Sequence, residues 1–330
     1  METHERYLAH DTGRGHPERP ARLEAVLAGL QASGVGDDLV WVSPRPARRE
    51  ELARVHPADH LDALEEFCAA GGGHLDVDTS AGPESWDAAL LAAGAGLDAV
   101  ERLDRGEGHA AFCAVRPPGH HATPDRAMGF CLLNNVAVAS AALADRGERV
   151  LVLDWDAHHG NGTQDAFYRD GRVLYVSMHQ WPLYPGTGRL EETGAGAGEG
   201  FTVNLPLPPG ATGDVYLAAM DEVLAPAVER FDPTWAIVSA GFDAHRADPL
   251  TGLGLAAGDY ADLTARLLSL TPTARVVAFL EGGYDLEALA RSAGACVAGL
   301  AGLSYRPEPS TSGGPGRAVV DAAATLLGAT

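Results

Sequence analysis

The chain has 330 residues, 46% of them hydrophobic and 21% charged, which is ordinary for a soluble globular protein and long enough for a large core. Its 45 acids outnumber 24 basic residues for a formal charge of −21, and every one of those cations is arginine, which excludes a basic nucleic-acid footprint and any lysine-nucleophile or Schiff-base chemistry. No apolar stretch approaches a membrane span, residues 1–6 are not the start of a secretory signal, and Cys68, Cys113, Cys131 and Cys296 form no CxxC pair. A cytoplasmic protein is expected, without disulfides or a thiolate zinc site, with neither nucleic acid nor membrane as a partner.

Residues 10–20 read as a loop rich in glycine and proline, and Leu23, Val26, Leu27 and Leu30 then recur at helical spacing, predicting a helix over 21–32. A strand is expected near 40–42 and helices near 57–70 and 85–103. Residues 109–115 read as a buried strand running into Arg116-Pro117-Pro118-Gly119-His120-His121. A helix over 134–146 precedes a strand over 149–156, whose apolar run opens into Asp154, Asp156 and His158. Further strands are expected over 173–179, 201–207, 235–241 and 275–283, with helices near 215–230 and 259–270. The glycine-rich 194–200 lies between two strands of this series and reads as a loop. Residues 306–316 read as a flexible segment before a last helix over 318–327.

Strands alternating with helices predict an α/β protein: one domain, 1–330, on a central, mostly parallel β-sheet with helices on both faces. Ligands in such sheets gather beyond the carboxyl ends of the strands. The polar clusters all fall there: His120 and His121, Asp154 and Asp156, Ser177 to His179, Asp243, and Gly282 to Tyr284. In an extended chain, Asp154, Asp156 and His158 would project from one face. Two carboxylates and an imidazole converging in this way need a cation or hydrogen-bond donors between them. Taken alone, the stretch also reads as a polar strand-to-helix turn capped by Asn161 or Thr163. Likewise, Asp243 alone could cap a helix, His120 and His121 could be loop polarity, and Tyr284 and Phe130 could be packing aromatics.

Five ordered motifs carry more than any one of them: Arg116-Pro-Pro-Gly-His-His121, Gly129-Phe-Cys131 with Asn134-Asn135, Asp154-Trp-Asp-Ala-His-His-Gly-Asn-Gly-Thr163, Ala240-Gly-Phe-Asp243, and Glu281-Gly-Gly-Tyr284. Together they resemble the zinc-dependent histone deacetylase family, of the class II type that includes bacterial deacetylases and acetylpolyamine amidohydrolases. The resemblance runs from Gly15 to Tyr284 and implies the arginase/deacetylase-like fold.

Carried over residue by residue, it implies one Zn²⁺ held by Asp156, His158 and Asp243 with open positions for water and substrate, although two hard oxygen ligands leave Fe²⁺ or Co²⁺ open. His121, paired with neutral Asn161, would be the general base and later acid; His120, paired with Asp154, would be mainly electrostatic. Tyr284 would donate to the developing oxyanion. Gly129, Phe130, Tyr184, Leu250 and Gly282 would contact the substrate, with Leu250 where polyamine-preferring relatives carry a glutamate. Arg22 would line an internal route for acetate. Structural K⁺ is implied at Asp154, Asp156, His158, Ser177 and Met178, and again at Phe167, Asp170, Val173 and Phe201. His4, His10, His56, His60, His74, His109, His179 and His245 are expected at the surface or in packing.

The implied reaction is hydrolysis of acetyl-lysine-type N-acyl amines. The alternatives are an acetylpolyamine or small-molecule amidohydrolase and a non-catalytic protein that binds acetylated ligands. An arginase-like dinuclear site would need two more carboxylates, where this chain has Gly160 and His245. Nothing in the sequence indicates an oligomer.

Overall fold

Six short apolar stretches become strands: β1 (Ala110–Cys113), β2 (Val150–Asp154), β3 (Val173–Gln180), β4 (Thr202–Leu207), β5 (Trp235–Ala240) and β6 (Arg275–Leu280). In this computed structural model, which describes residues 1–329 apart from Pro272 and Ala274, they form one sheet in the order β1-β6-β5-β2-β3-β4. All five pairings are parallel. Every residue of β2, β3 and β5 is buried, so both faces of the sheet are covered, as continuous rather than alternating apolar runs require.

One group of covering helices, Ala21–Ala32, Ala257–Leu270 and Leu286–Leu300, packs together, and Ser85–Asp104 packs against Asn135–Ala144. A smaller apolar cluster around Leu52, Leu61, Leu64, Trp86 and Leu133 sits apart from the main core. The chain leaves β2 toward β3 and β4, then returns to place β5 on the other side of β2. The carboxyl ends of β2 and β5 therefore flank the point where the strand order reverses, the position that favours a ligand crevice.

Three expectations need correction. No strand forms near 40–42: Val42 makes only an isolated bridge to Glu2, and Val40 is 66% exposed, so nothing buries a strand there. The helix expected over 215–230 is a run of Gly213–Ala219, a π-helical turn at Met220–Leu224, and Ala225–Phe231. Pro226 has no N–H to donate one turn back, and at this point the Ala225 N–H reaches Met220 instead. The central strand ends at Asp154, two residues early. The Asp154 carboxylate accepts the Asp156 N–H at 3.1 Å and the Asp156 carboxylate accepts the His158 N–H at 2.9 Å, which folds the backbone into successive turns.

The 306–316 segment has almost no regular structure, yet it is tied to the body. Arg306 pairs with Asp262, Glu308 accepts from His245, Arg246 and the Ala257 N–H, and Thr311 donates to Asp259. The last helix, Arg317–Ala329, follows it.

Candidate active site

Because β2 ends early, Asp154 does not converge with Asp156 and His158 as strand alternation predicts. It turns to His120, whose Nδ1 lies 3.0 Å from Asp154 Oδ2. The group that does converge joins the turn after β2 to the turn after β5: Asp156, His158 and Asp243 place one potential ligand atom each within 4.8 Å of one another. His158 Nδ1 is 3.1 Å from Asp156 Oδ1 and 2.9 Å from Asp243 Oδ2. Both carboxylates are fully buried, and no arginine reaches them among the described residues. Backbone amides supply part of the compensation, Gly282 to Asp156 at 2.7 Å and Ala157 to Asp243 at 2.7 Å.

Burial, and then the charge of Asp156, pushes Asp243 up to about 7. Burial alone would lower His158, but its bonds to the two acids raise it to about 10, so a proton on His158 offsets part of the charge of the two acids. A group of donors that holds a proton this tightly between two buried carboxylates suits a divalent cation in its place.

His120 and His121 follow β1 and lie with ring centroids 4.1 Å apart, the rings tilted by 43°. Burial opposes protonation of His120, yet Asp154 and Asp156 raise it to about 10. His121 moves the other way: burial, then the charges on His120 and His158, lower it well below 6.5. Its Nδ1 is 2.9 Å from Asn161 Oδ1, while the Asn161 amide nitrogen faces the His121 carbonyl and the Met128 sulfur. The proton therefore sits on Nδ1, and Nε2 keeps a free lone pair.

The aromatic residues expected around the site meet it edge-on. Tyr184 lies with its ring centroid 5.1 Å from His121 and 6.5 Å from His158, and Phe130 lies 5.8 Å from Tyr284. Tyr184 is 36% exposed and Leu250 38%. Gly129 is fixed by contact with His121: a Cβ at this left-handed residue would stand 2.4 Å from the imidazole.

Gly282 lies against the two buried carboxylates. A Cβ there would lie 2.1 Å from Asp243 and 2.6 Å from Asp156, so its bare backbone fits against the carboxylates and donates to one of them. Arg22 is fully buried, donates to the Gly283 and Glu281 carbonyls, and lies 4.9 Å from the Tyr284 ring centroid, which braces that loop. Burial raises the Tyr284 hydroxyl well above 10, so it stays protonated and able to donate.

Of the expected K⁺ ligands, Ser177 pairs in register with Asp154, and Met178 follows it in β3. Phe167, Asp170, Val173 and Phe201 surround one turn, where the Phe167 carbonyl accepts from Asp170, the Asp170 carbonyl from Val173, and the Phe201 carbonyl from Tyr175.

Four supporting residues escaped the sequence reading. The Tyr175 hydroxyl lies 3.3 Å from Asp154. The buried Glu281 accepts the N–H of Gly119 at 2.7 Å and of His120 at 3.2 Å, tying the histidine loop to β6. His159 contacts Thr187 at 2.8 Å and so anchors the loop of Tyr184. Asp248 accepts from Tyr284. An acid closing the apolar run of β6 was a signal for Glu281; the others depend on contacts between distant segments.

Two buried carboxylates and an imidazole that could hold a metal ion, beside a neutral imidazole and a phenol at the carboxyl edge of a parallel sheet, fit the hydrolase class. Comparison with known proteins narrows that class. Residues 16–300 match the histone deacetylase domain. The chain is 44% identical over 315 residues to a probable deacetylase of Archaeoglobus fulgidus, covering 93% of this chain and 88% of that protein. It is 43% identical over 277 residues to a histone deacetylase-like amidohydrolase of Pseudomonas aeruginosa, covering 82% and 73%. The crystal structure of the HDA15 HD domain superposes with a TM-score of 0.91 at 37% identity, covering 99% of this chain and 93% of that one. The chain belongs to the histone deacetylase family, and its class is that of hydrolytic deacetylases.

Proposed function

We propose that the protein is a mononuclear, zinc-dependent amidohydrolase that removes acetyl groups from acetyl-lysine-type N-acyl amines. The observation that carries this reading is the convergence of Asp156, His158 and Asp243 beside a His121 whose Nε2 is free. A Zn²⁺ held by those three residues would supply Lewis acidity, polarising the amide carbonyl and acidifying water. His121 Nε2 takes the proton from the attacking water and returns it to the leaving amine, so that the C–N bond breaks to give acetate and a free amine. His120, kept charged by Asp154, offsets negative charge that develops nearby. Tyr284 donates its hydroxyl hydrogen to the carbonyl oxygen as that oxygen gains charge.

Phe130 and Tyr184 flank a narrow aliphatic chain, Gly129 keeps the His121 side close, and Arg22 lies on the inner side where acetate would leave. Apolar Leu250 at the mouth favours an acyl-lysine stem over a polyamine, whose distant ammonium it cannot pair. The K⁺ expected at Asp154, Asp156, His158, Ser177 and Met178 would be structural. At the second set, Phe167, Asp170, Val173 and Phe201, carbonyl oxygens would serve, since the Asp170 carboxylate is engaged by Arg172. The charge of −21 supports a non-nucleic-acid substrate. No helix among the described residues is long and apolar enough to cross a membrane, and we assign the protein to the cytoplasm.

Turnover of a fluorogenic acetyl-lysine amide tests the reading: activity disappears on exhaustive chelation and returns with one equivalent of Zn²⁺ per chain. Activity that survives chelation, or a requirement for two catalytic ions, rules it out. Because a cation displaces the proton of His158, raised to about 10, affinity for Zn²⁺ tightens as pH rises. Competition with an indicator at pH 6 and 8 measures this, and equal affinities would contradict it.

A further inference from the structure

Asp248 is 7% exposed, yet no ion-pair partner reaches it among the described residues. Burial raises its carboxyl above the ordinary range, so an acid at this position needs strong donors. Its donors are backbone amides, those of Leu250, Tyr284 and the adjoining Asp285. Oδ1 accepts the N–H of Leu250 at 2.9 Å, a local turn two residues on. Oδ2 accepts the N–H of Tyr284 at 2.7 Å, across 36 residues of sequence. A turn-forming role accounts for the first bond and leaves the second unexplained.

The loop that carries Asp248 is itself fixed. It begins at Asp243, the Asp248 N–H donates to the His245 carbonyl at 2.8 Å, and Thr251 closes it by donating to the Asp243 carbonyl. On the other side, Tyr284 follows Gly282 and Gly283, two residues without side chains to pin the backbone, and Gly283 is left-handed with φ 119°. Glycine side chains cannot hold that backbone, so it is held through its own amides and carbonyls. Arg22 holds the carbonyls of Glu281 and Gly283, and Asp248 holds the amide of Tyr284 itself.

We propose that Asp248 is a positioning residue: through the Tyr284 amide it sets the hydroxyl where charge develops on the carbonyl oxygen, and through the Leu250 amide it fixes the mouth relative to the same point. This rests on the reading of Tyr284 as oxyanion donor. A hydroxyl misplaced by about an ångström loses most of its effect on turnover, while a substrate stem held by aromatic walls still binds.

Asp248→Asn preserves size but replaces one acceptor oxygen by an amino group, which cannot accept from both amides. Its kcat falls by about 10- to 100-fold, as for other residues that orient a reacting group, with KM within threefold and one equivalent of Zn²⁺ retained. The deciding readout is the double variant. With Tyr284→Phe already in place, adding Asp248→Asn lowers kcat by less than twofold, because the group it orients is gone. An equal loss in both backgrounds, or an unchanged kcat in Asp248→Asn alone, overturns the proposal.

Amide hydrogen exchange on the wild-type protein provides a test that does not depend on the variants folding or on deacetylation being found. Slow exchange at Tyr284 and Leu250 is expected, and an unprotected Tyr284 amide overturns the proposal. If the wild type proves inactive while these amides are protected, the functional reading fails and the anchoring of Tyr284 stands.

Discussion

At the amino ends of the strands, Arg149, Arg172 and Arg275 pair with Asp232, Asp170 and Asp104, and the arginines are about half exposed. At the carboxyl ends, Asp154, Asp156, Asp243 and Glu281 are fully buried, and the cations nearest them are histidines rather than arginines. The contrast follows from the parallel sheet: all loops after the strands lie at one end, where glycines let backbone and carboxylates approach closely. Water screens the charges at the first edge. At the second they interact in a low dielectric, where a missing partner costs several kcal/mol and a mobile cation can enter.

The comparison breaks most visibly in the buried arginine network behind the site. Glu18 accepts from Arg116 at 2.6 and 2.7 Å and from Arg22 at 3.2 Å, all three side chains being fully buried. Burial alone would raise Glu18, but Arg116 holds it at about 2. Its folded value is depressed, so its contribution is complete above the ordinary 4.5 and is lost as pH falls toward 2. Glu18→Gln leaves two buried guanidinium groups under-compensated and costs about 3–5 kcal/mol, read by denaturant unfolding at pH 7. A cost under 1 kcal/mol would show that the network behaves like the exposed edge.

Tyr284→Phe comes next. It should lower kcat by about 10²–10³-fold, or about 3–4 kcal/mol, with fold and metal content unchanged. Steady-state kinetics on metal-replete protein within a few-fold of wild type would remove Tyr284 from its role. Leu250→Glu acts at the rim, between the two regimes. It should shift the ratio of acetylpolyamine to acetyl-lysine turnover by about 1–3 kcal/mol, and a wild type already faster on polyamines would refute this. The smallest effect belongs to the amino edge. Asp104 meets Arg275 at 2.5 Å and Arg146 at 2.6 Å, yet Asp104→Asn should cost about 1 kcal/mol or less and leave turnover intact. A larger loss in thermal unfolding would mean that this edge is not screened as described.

By itself the sequence determined the alternation of strands and helices, the parallel sheet and the residues of the triad. Those features reside in local patterns: apolar runs too continuous for a half-exposed strand, and ordered motifs at strand ends. Strand alternation put Asp154 and Asp156 on one face, whereas the resemblance paired Asp154 with His120 and Asp156 with His158 and Asp243. Only the tertiary structure shows how the two acids part: a side chain accepting its neighbour's N–H ends the strand, and Asp154 meets His120. That two carboxylates press on Gly282 was equally beyond the sequence, because a glycine's spacing cannot say what lies against it. Asp248 stood unnoticed beside Leu250, since its bond to Tyr284 joins segments 36 residues apart. Periodicity reports which way a side chain faces relative to its own backbone, and the partner it finds there is set by packing between distant segments.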